Sequence, residues 1–383
     1  MDRLEQFVYK NKKQLRLGFT TGSCAAAATK AAAQMLFSGQ AVQTVEMMTP
    51  KGILLKLSVL HIEQGYGWVS CAIRKDSGDD PDITDGVEVF AKVEKLPQQE
   101  FLLAGGVGVG RVTKPGLECA VGEAAINRVP RQMILSELHQ AAETWDYGGG
   151  LQATISIPAG VELAKKTFNP RLGIVGGISV LGTSGIVEPM SEQALLDSIF
   201  LEMKQRRAMG AAYLLVTPGN YGEDFAKAFT DLDVSQSVKC SNYLGQTIDF
   251  AVGLNYQGML LIGHIGKMAK VAAGVMQTHS KFADARLEVF AAHAALCGAE
   301  QKIIAQLMEA TTTDDAIDIL AAAGLKENVL ASILQKIEFH LQQRTYGEME
   351  IGAIVFSQKH GYLGKTTTAD DLLQKLANGG KEE

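Results

Sequence analysis

Glycine and hydroxyl residues are concentrated in the segment 176–191, GGISVLGTSGIVEPMS. Glycine allows the backbone to take positive φ angles and to approach a ligand closely. Serine and threonine hydroxyls donate and accept hydrogen bonds, as the binding of an amino-acid or ribose group requires. The segment therefore predicts a ligand-binding loop, with an ordinary flexible turn as the alternative. The candidate residues are Gly176, Gly177, Gly182, Thr183, Ser184 and Gly185.

Three further polar or glycine-rich turns each follow a predicted strand. They are TPGN (217–220), CSN (240–242) and GHIGK (263–267), and the last opens a predicted helix. Ligands of open parallel sheets bind beyond the carboxyl ends of the strands. We therefore expect these turns and the segment 176–191 to line one rim of one sheet, although each turn taken alone is more simply an ordinary loop. The candidates in the last turn are Gly263, His264 and Gly266.

The segment TTGSC (20–24) lies directly before the first predicted helix. Hydroxyl groups and free backbone N–H groups at a helix N-terminus bind anions well. The segment thus predicts an anion site at Thr20, Thr21 and Ser23. Local capping of the helix by Thr21 or Ser23 is an equally good explanation.

Charged side chains form one acidic and one basic group in the first half. DSGDDPD (76–82) places four carboxylates within seven residues, as a hard-metal loop or an acid/base cluster would. Because the EF-hand pattern is missing, a solvated turn is the simpler interpretation. The basic group suits an anionic ligand, since arginine binds carboxylates with two parallel hydrogen bonds; scattered surface charge is the alternative. Its members are Arg111, Lys114, Arg128 and Arg131.

The elements that must position these residues differ between the two halves of the chain. The first part mixes an alanine-rich helix over 24–38 with strands at 43–49, 53–60, 67–73 and 151–158. These assignments follow from helix propensity, from turn residues between strands and from alternating hydrophobicity. The first part is therefore predicted to be a mixed α+β domain.

From about residue 170, predicted strands and helices alternate. The expected strands are LGIVGG (172–177), 213–217, 237–241, GMLLIG (258–263) and 350–356, and the expected helices are 191–209, 222–230 and 244–253. Such alternation is typical of βαβ units with a parallel sheet. The predicted fold class is α/β, with a largely parallel, Rossmann-like sheet in the second domain and a mostly helical section over 265–343. A boundary near 165–170 gives domains 1–168 and 169–383.

Composition excludes several classes of protein. The net charge of −6 argues against a nucleic-acid binder, which usually has a basic face. The five cysteines contain no CxxC pair, so a disulfide framework or zinc ribbon is not expected and a reducing compartment fits best. The N-terminus lacks the apolar run of a signal peptide, and no apolar stretch approaches the roughly 20 residues of a membrane span. We expect a soluble, cytoplasmic protein.

Together these segments resemble the CbiD family of corrin-ring methyltransferases. The matching stretches are ordered along residues 18–280, which makes chance agreement very improbable. They are GFTTGSCAAAA (18–28), KDSGDDPDIT (75–84), GVGRVTKPGL (108–117), GEAAINRVPR (122–131), NPRLGIVGGISVLGTSGIVEPMS (169–191), KCSNYLG (239–245) and GHIGKMAKVAAGVMQTHS (263–280).

The resemblance implies methylation of carbon 1 of cobalt-precorrin-5B by S-adenosylmethionine, which gives cobalt-precorrin-6A on the anaerobic route to cobalamin. The substrate carries its own cobalt, so no metal site in the protein is required. The resemblance leaves open whether the chain forms oligomers or contacts other enzymes of corrin assembly.

Within that reaction we assign provisional roles to the candidate residues. The donor is expected on the loop 176–185, beside Gly263, His264 and Gly266. The carboxylate arms of the tetrapyrrole are expected on the four basic residues and Arg171, with Thr20, Thr21 and Ser23 as further substrate contacts. If a general base exists, Asp76, Asp79 and Asp80 are the first to test.

Two other functions remain as alternatives. A nucleotide-dependent oxidoreductase would explain the glycine-rich turns, but their spacing is not that of the GxGxxG fingerprint. A non-catalytic corrinoid-binding scaffold would explain the basic group but gives no use for the donor loop.

Overall fold

The computed structural model describes residues 4–10, 12–167, 169–219, 222, 225–227, 232, 234 and 237–380. The chain divides into two compact units, Met1–Glu192 and Gln193–Glu383. The division lies later in the chain than the expected boundary at 168/169, because strands from the segment 174–187 pair with strands of the first unit.

The first unit contains small strands, one five-stranded sheet and two long helices. Its elements are β1 (Phe7–Lys10), β2 (Lys13–Arg16), β3 (Gly18–Phe19), α1 (Thr21–Ser38), β4 (Thr44–Met48), β5 (Leu54–Ser58), β6 (Leu60–Gly65), β7 (Trp68–Arg74), β8 (Glu88–Leu96), β9 (Phe101–Gly105), β10 (Gly108–Val109), β11 (Arg111–Val112), α2 (Arg128–Thr144), β12 (Gly150–Ser156), α3 (Gly160–Leu163), a 3-10 turn (Ala164–Lys166), β13 (Ile174–Val175), β14 (Gly177–Ile178) and β15 (Ile186–Val187).

The core of the first unit lies between the sheet β6-β7-β8-β12-β9 and the helices α1 and α2. Burial alternates along β8, where Val89, Ala91 and Val93 are buried, as expected for a strand covered on one face. Alanines of α1 are buried against this sheet, and their small side chains allow a close approach. The helix ends at Gly39, which takes the left-handed conformation, a common helix stop.

The second unit contains a parallel sheet with helices on both faces. Its elements are α4 (Glu192–Ala208), β16 (Tyr213–Thr217), β17 (Val238–Lys239), α5 (Leu244–Gly253), β18 (Gly258–His264), α6 (Ile265–Ala272), α7 (Arg286–Leu296), α8 (Gln301–Glu309), α9 (Thr313–Ala322), α10 (Lys326–Thr345), β19 (Glu350–Ser357), β20 (Gly361–Lys365) and α11 (Ala369–Ala377). The helix expected over 222–230 lies mostly outside the described residues.

The sheet of the second unit has the strand order β17-β16-β18-β19-β20, in which β20 alone is antiparallel to its neighbour. The strands β18 and β19 are buried almost throughout, as both faces of a parallel sheet usually are. One face packs on helices α5–α10 and the other on α11. Among the described residues, no helix combines the length and apolarity needed to cross a membrane.

One prediction about this sheet is wrong. The segment LGIVGG (172–177) does not form its first strand: β13 pairs with β11, and β14 pairs with β10, all within the first unit. The local sequence is apolar enough for a strand, but its partners lie about 60 residues earlier in the chain, at residues 108–112. Residues 176–191 therefore do not follow a strand of the parallel sheet.

Candidate functional site

The predicted donor loop is bound to the N-terminus of α1. Gly22 donates its backbone N–H to the Leu181 carbonyl over 3.1 Å, and Thr21 Oγ1 accepts from the Leu181 N–H over 3.1 Å. The Ser23 hydroxyl donates to the Gly185 carbonyl over 2.7 Å. The first N–H groups of this helix, which could otherwise bind an anion, are thus engaged by the chain itself.

Capping of α1 uses Thr20 and not Thr21 or Ser23. Thr20 Oγ1 accepts the Ser23 N–H over 3.2 Å, and its backbone N–H donates to the Gly185 carbonyl over 3.1 Å. Gly182 and Gly185 both have positive φ, and a Cβ on either would crowd Thr20 or Ser23. The glycines of this loop therefore permit its close approach to α1.

The acidic segment is held by hydrogen bonds from within the first unit. Asp76 accepts two bonds from the Arg16 guanidinium, at 2.5 and 2.7 Å. Asp79 accepts the backbone N–H of Arg16 over 2.7 Å, and Asp80 accepts that of Met190 over 3.0 Å. The predicted acid/base residues Asp76, Asp79 and Asp80 thus each have a structural partner.

A buried lysine completes this segment. Lys75 is almost fully buried, donates to the Ser77 hydroxyl and lies 2.6 Å from the Asp82 carboxylate. Burial alone would raise the pKa of Asp82, but the Lys75 ammonium and hydrogen bonds from Lys75 and Thr84 bring it below its ordinary value. Such a pair stabilises the turn only while Asp82 is ionised.

The basic residues come together through the pairing of β11 with β13. In that register Arg111 lies opposite Val175, and the Arg111 guanidinium donates to the Gly122 carbonyl. Lys114 donates to the backbone carbonyl of Arg171 over 3.4 Å, which brings Arg171 to the same strand pair. Cationic groups 60 residues apart in sequence thus share one region of the first unit.

The N-terminus of α2 contributes the other two basic residues. Arg131 lies 3.6 Å from Glu123, and the backbone N–H of Arg128 donates to Glu118. Exposed apolar side chains accompany this basic region, namely Val121, next to Gly122, and Val175, opposite Arg111. The region therefore combines positive charge with apolar surface.

The other three predicted turns share the carboxyl rim of the parallel sheet. They follow β16, β17 and β18, and Asn220 of the first lies outside the described residues. The chain passes from β16 to β17 on one side and then to β18 on the other. The strand order thus reverses between β16 and β18, where α/β sheets form a ligand crevice.

A buried hydroxyl lies at this reversal. Thr217, the last residue of β16, is fully buried. Within the described residues, the buried side-chain polar atoms that lack a hydrogen bond are Thr217 Oγ1 and His360 Nε2. His360 follows β19 on the same rim, and its Nε2 lies 3.5 Å from Asp318. An unpaired buried polar group is costly and calls for an explanation, such as a functional role or a bound water or ion.

His264 ends β18 and caps the helix that follows. Its Nδ1 accepts the Gly266 N–H over 3.0 Å, so the proton of the neutral ring is on Nε2. Burial lowers the pKa of His264, against the opposing charge of Asp314. The ring is therefore neutral near pH 7 and presents Nε2–H as a donor.

The rim also carries a thiol, that of Cys240, and an ammonium, that of Lys267. Burial raises the pKa of Cys240, directly after β17, to about 12, which leaves it a neutral thiol and a poor nucleophile. Lys267, in the first turn of α6, donates to the Ser241 carbonyl over 2.9 Å. Burial lowers the pKa of its ammonium below the ordinary value.

The structure thus separates the predicted donor residues into two groups. Gly263, His264 and Gly266 lie on the rim of the parallel sheet, whereas the loop 176–185 belongs to the first unit. The sequence predicts the turns that contain Thr217 and Lys267 but gives no signal for a role of these two side chains. The strand order would have directed attention to both, because it identifies the strands between which the reversal occurs.

Comparisons with known proteins agree along most of the chain. The family model described as CbiD matches residues 8–189, and the model described as the CbiD C-terminal domain matches residues 277–367. A curated relative from Ruminiclostridium cellulolyticum, named cobalt-precorrin-5B C(1)-methyltransferase, is 52% identical over 97% of this chain and 98% of its own. A relative of the same name from Alkaliphilus metalliredigens is 44% identical over 99% of this chain and 100% of its own.

One solved structure is also similar. It is the crystal structure of the cobalamin biosynthesis protein CbiD from Archaeoglobus fulgidus, with 29% sequence identity. The match covers 74% of this chain and 87% of that chain, with a TM-score of 0.39.

Proposed function

The chain belongs to the CbiD family, and we propose that it transfers a methyl group to carbon 1 of cobalt-precorrin-5B, with S-adenosylmethionine as the donor. The observation that carries this proposal is the 52% identity, over 97% of the chain, to a relative named for that reaction. Cobalt belongs to the tetrapyrrole substrate and is not a resident ion of the protein.

The donor is proposed to bind at the carboxyl rim of the parallel sheet, between β16 and β18. S-adenosylmethionine supplies an electrophilic methyl group bound to a sulfonium. Its ribose and amino-acid groups need hydrogen-bond partners, and the unpaired Thr217 hydroxyl and His264 Nε2–H are available there. Gly263 packs against the Met268 side chain, and Gly266 donates its N–H to His264, so both glycines hold the turn that presents Nε2–H. These residues fit the donor.

The loop 176–185 has a structural role in this proposal. Its backbone is bonded to the N-terminus of α1 by Thr21, Gly22 and Ser23. We therefore assign Gly177, Gly182, Ser184 and Gly185, together with Thr20, Thr21 and Ser23, to holding the first unit together. The exposed Gly176 and Thr183 are not included in this assignment.

The tetrapyrrole is proposed to bind the basic region around β11 and β13. Its acetate and propionate arms are anionic, and its ring is apolar. Arg111, Lys114 and Arg171 match the arms through charge-assisted hydrogen bonds, while exposed Val121 and Val175 match the ring. Arg128 and Arg131 extend the positive charge at the start of α2.

Alignment and exclusion of water are the protein's main contributions to the reaction. Methyl transfer to carbon is an in-line displacement, and holding the reactants in line contributes up to roughly 7–11 kcal/mol. Asp76, Asp79 and Asp80 already accept hydrogen bonds within the fold, so the proposal requires no base among them. A site that excludes water also avoids stabilising the sulfonium more than the charge-dispersed transition state.

Formation of S-adenosylhomocysteine tests the proposed function. The full chain is incubated with S-adenosylmethionine, with and without cobalt-precorrin-5B, and in a parallel reaction with cobalt-precorrin-5B and a reduced nicotinamide cofactor. Methylation predicts S-adenosylhomocysteine in proportion to added tetrapyrrole and little without it. Tetrapyrrole binding with no S-adenosylhomocysteine would favour the scaffold, and consumption of a nicotinamide cofactor instead would favour the oxidoreductase.

A further inference from the structure

Lys267 is a lysine of the rim that donates to a backbone carbonyl. Within the described part of the chain, its ammonium donates to the Ser241 carbonyl and forms no ion pair. The neighbouring Lys270 donates two hydrogen bonds, to the backbone carbonyls of Thr278 and Ala283, at 3.1 and 2.9 Å. Because an ammonium has three N–H donors, Lys267 can donate further hydrogen bonds to a ligand.

Two turns of the rim lie close to the Lys267 ammonium. Gly219 follows β16 with a φ of +115°, and a Cβ built on it would lie 3.6 Å from the Lys267 ammonium. Ser241, which accepts from Lys267, has a φ of +53° directly after β17. The ammonium therefore lies above two turns of the rim, beside a glycine that exposes its backbone.

The unpaired Thr217 hydroxyl is an independent observation at the same place. Gly219 donates its N–H to the Thr217 carbonyl over 2.9 Å, and Cys240 donates to the same carbonyl over 3.3 Å. The turn approached by Lys267 is thus hydrogen-bonded to Thr217. A half-buried ammonium and a fully buried, unpaired hydroxyl together favour an anion that can accept hydrogen bonds from both.

Charge matching indicates which anion this is. The tetrapyrrole carries many carboxylates and suits a region with several cations, such as that around Arg111. Among the described residues of the rim between β16 and β18, Lys267 offers an ammonium without an ion pair, and the methyl donor has a single carboxylate. A single cation at the strand-order reversal fits the donor better than the macrocycle.

We propose that Lys267 and Thr217 bind the carboxylate of the methyl donor's amino-acid end. This inference rests on the proposed function, because it takes the donor to be S-adenosylmethionine. The amino-acid part of the donor would lie at the turns after β16 and β17. The rest of the donor would lie toward His264, at the end of β18.

The test compares two ligands that differ only in this carboxylate. They are S-adenosylhomocysteine and its decarboxylated analogue, and their dissociation constants are measured by calorimetry with the wild-type chain, Lys267→Met and Lys267→Arg. The wild type should bind S-adenosylhomocysteine at least about tenfold more tightly, as expected for hydrogen bonds to a charged group. Lys267→Met should lose most of this preference, because Thr217 remains as the only proposed donor to the carboxylate, and Lys267→Arg should restore part of it.

Controls separate this inference from general damage to the protein. Lys302→Met removes an exposed lysine of α8 and should keep the wild-type preference. If Lys267→Met and the wild type prefer S-adenosylhomocysteine to the same extent, the inference is overturned. It is also overturned if the wild type binds the two ligands equally, and this second measurement does not depend on the folding of any variant. Wild-type protein that binds neither ligand would instead remove the proposed function, and the inference with it.

Discussion

His264 is the last residue of β18 and the N-cap of α6, and it is also a proposed ligand contact. Its Nδ1 accepts the Gly266 N–H only while the ring is neutral, because a protonated imidazole has no acceptor. Burial favours the neutral ring and lowers the pKa below the ordinary 6.5. The same tautomer that caps α6 leaves Nε2–H for a ligand, so capping and binding require one protonation state.

The stability of the protein should therefore depend on pH through His264. Because the folded pKa is lowered, the unfolded chain binds the proton more readily, and this contribution is present above pH 6.5 and lost as pH falls below it. His264→Asn keeps a good N-cap that does not titrate. Chemical unfolding at pH 7.5 and 5.5 should show a smaller loss of stability in His264→Asn than in the wild type; equal losses would contradict the assigned role.

Asp76 offers a second test at this scale. Its two hydrogen bonds to Arg16 join partly buried side chains, 17% and 19% exposed for Arg16 and Asp76. Asp76→Asn should lower the free energy of unfolding by about 2 kcal/mol, as loss of hydrogen bonds to a charged group does. The exposed pair Glu46–Lys56 provides the control, since Glu46→Gln should cost under about 1 kcal/mol. Unchanged stability with lost turnover would identify Asp76 as catalytic instead.

At the scale of elements, glycines determine how closely β10 and β14 approach their neighbours. Gly108 has a φ of +76°, and a Cβ there would overlap the carbonyl of Ile157. A Cβ on Gly177 would in turn overlap the Gly108 carbonyl. The segment 105–111, GGVGVGR, thus serves backbone packing in the first unit.

Comparing the stability of Gly108→Ala with that of Gly176→Ala distinguishes the cost of steric overlap from the cost of backbone strain. Both positions have positive φ, but a Cβ at Gly176 meets nothing within 4 Å. Gly176→Ala should cost about 1–2 kcal/mol, the strain of a left-handed residue, whereas Gly108→Ala should cost about 3 kcal/mol or more because overlap is added. Equal midpoints in urea unfolding would show that β10 has more room than the structure gives it.

Local sequence predicted many of these elements but not all of their partners. The strand at 213–217 and the helix at 244–253 are found at those residues, because apolar runs and end signals are local. The segment LGIVGG was predicted as a strand of the wrong sheet, since its partners at 108–112 are set by long-range packing. The same error placed the loop 176–185 on the parallel sheet.

The candidate site shows the same limit. The turn GHIGK was selected because its glycines and position after a strand are visible in sequence. Thr217 and Lys267 were not, because an unpaired hydroxyl and an unpaired ammonium are properties of packing. Similarly, the bonds that engage Thr21 and Ser23 come from Leu181 and Gly185, about 160 residues later.

At the scale of the whole molecule, each unit has its own core and its own proposed ligand. The first unit carries the basic and apolar region proposed for the tetrapyrrole, and the second carries the sheet rim proposed for the donor. Such a division gives each substrate a site of matching charge: several cations for a polyanionic macrocycle, and one for a zwitterionic donor.

The most direct test of the account follows the methyl group itself. The full chain is incubated with cobalt-precorrin-5B and S-adenosylmethionine labelled with carbon-13 in the methyl group, and the isolated tetrapyrrole is converted to a diamagnetic form for NMR. The account predicts one labelled methyl group, bound to ring carbon 1. A label at another carbon, or an unlabelled tetrapyrrole recovered with intact donor, would contradict it.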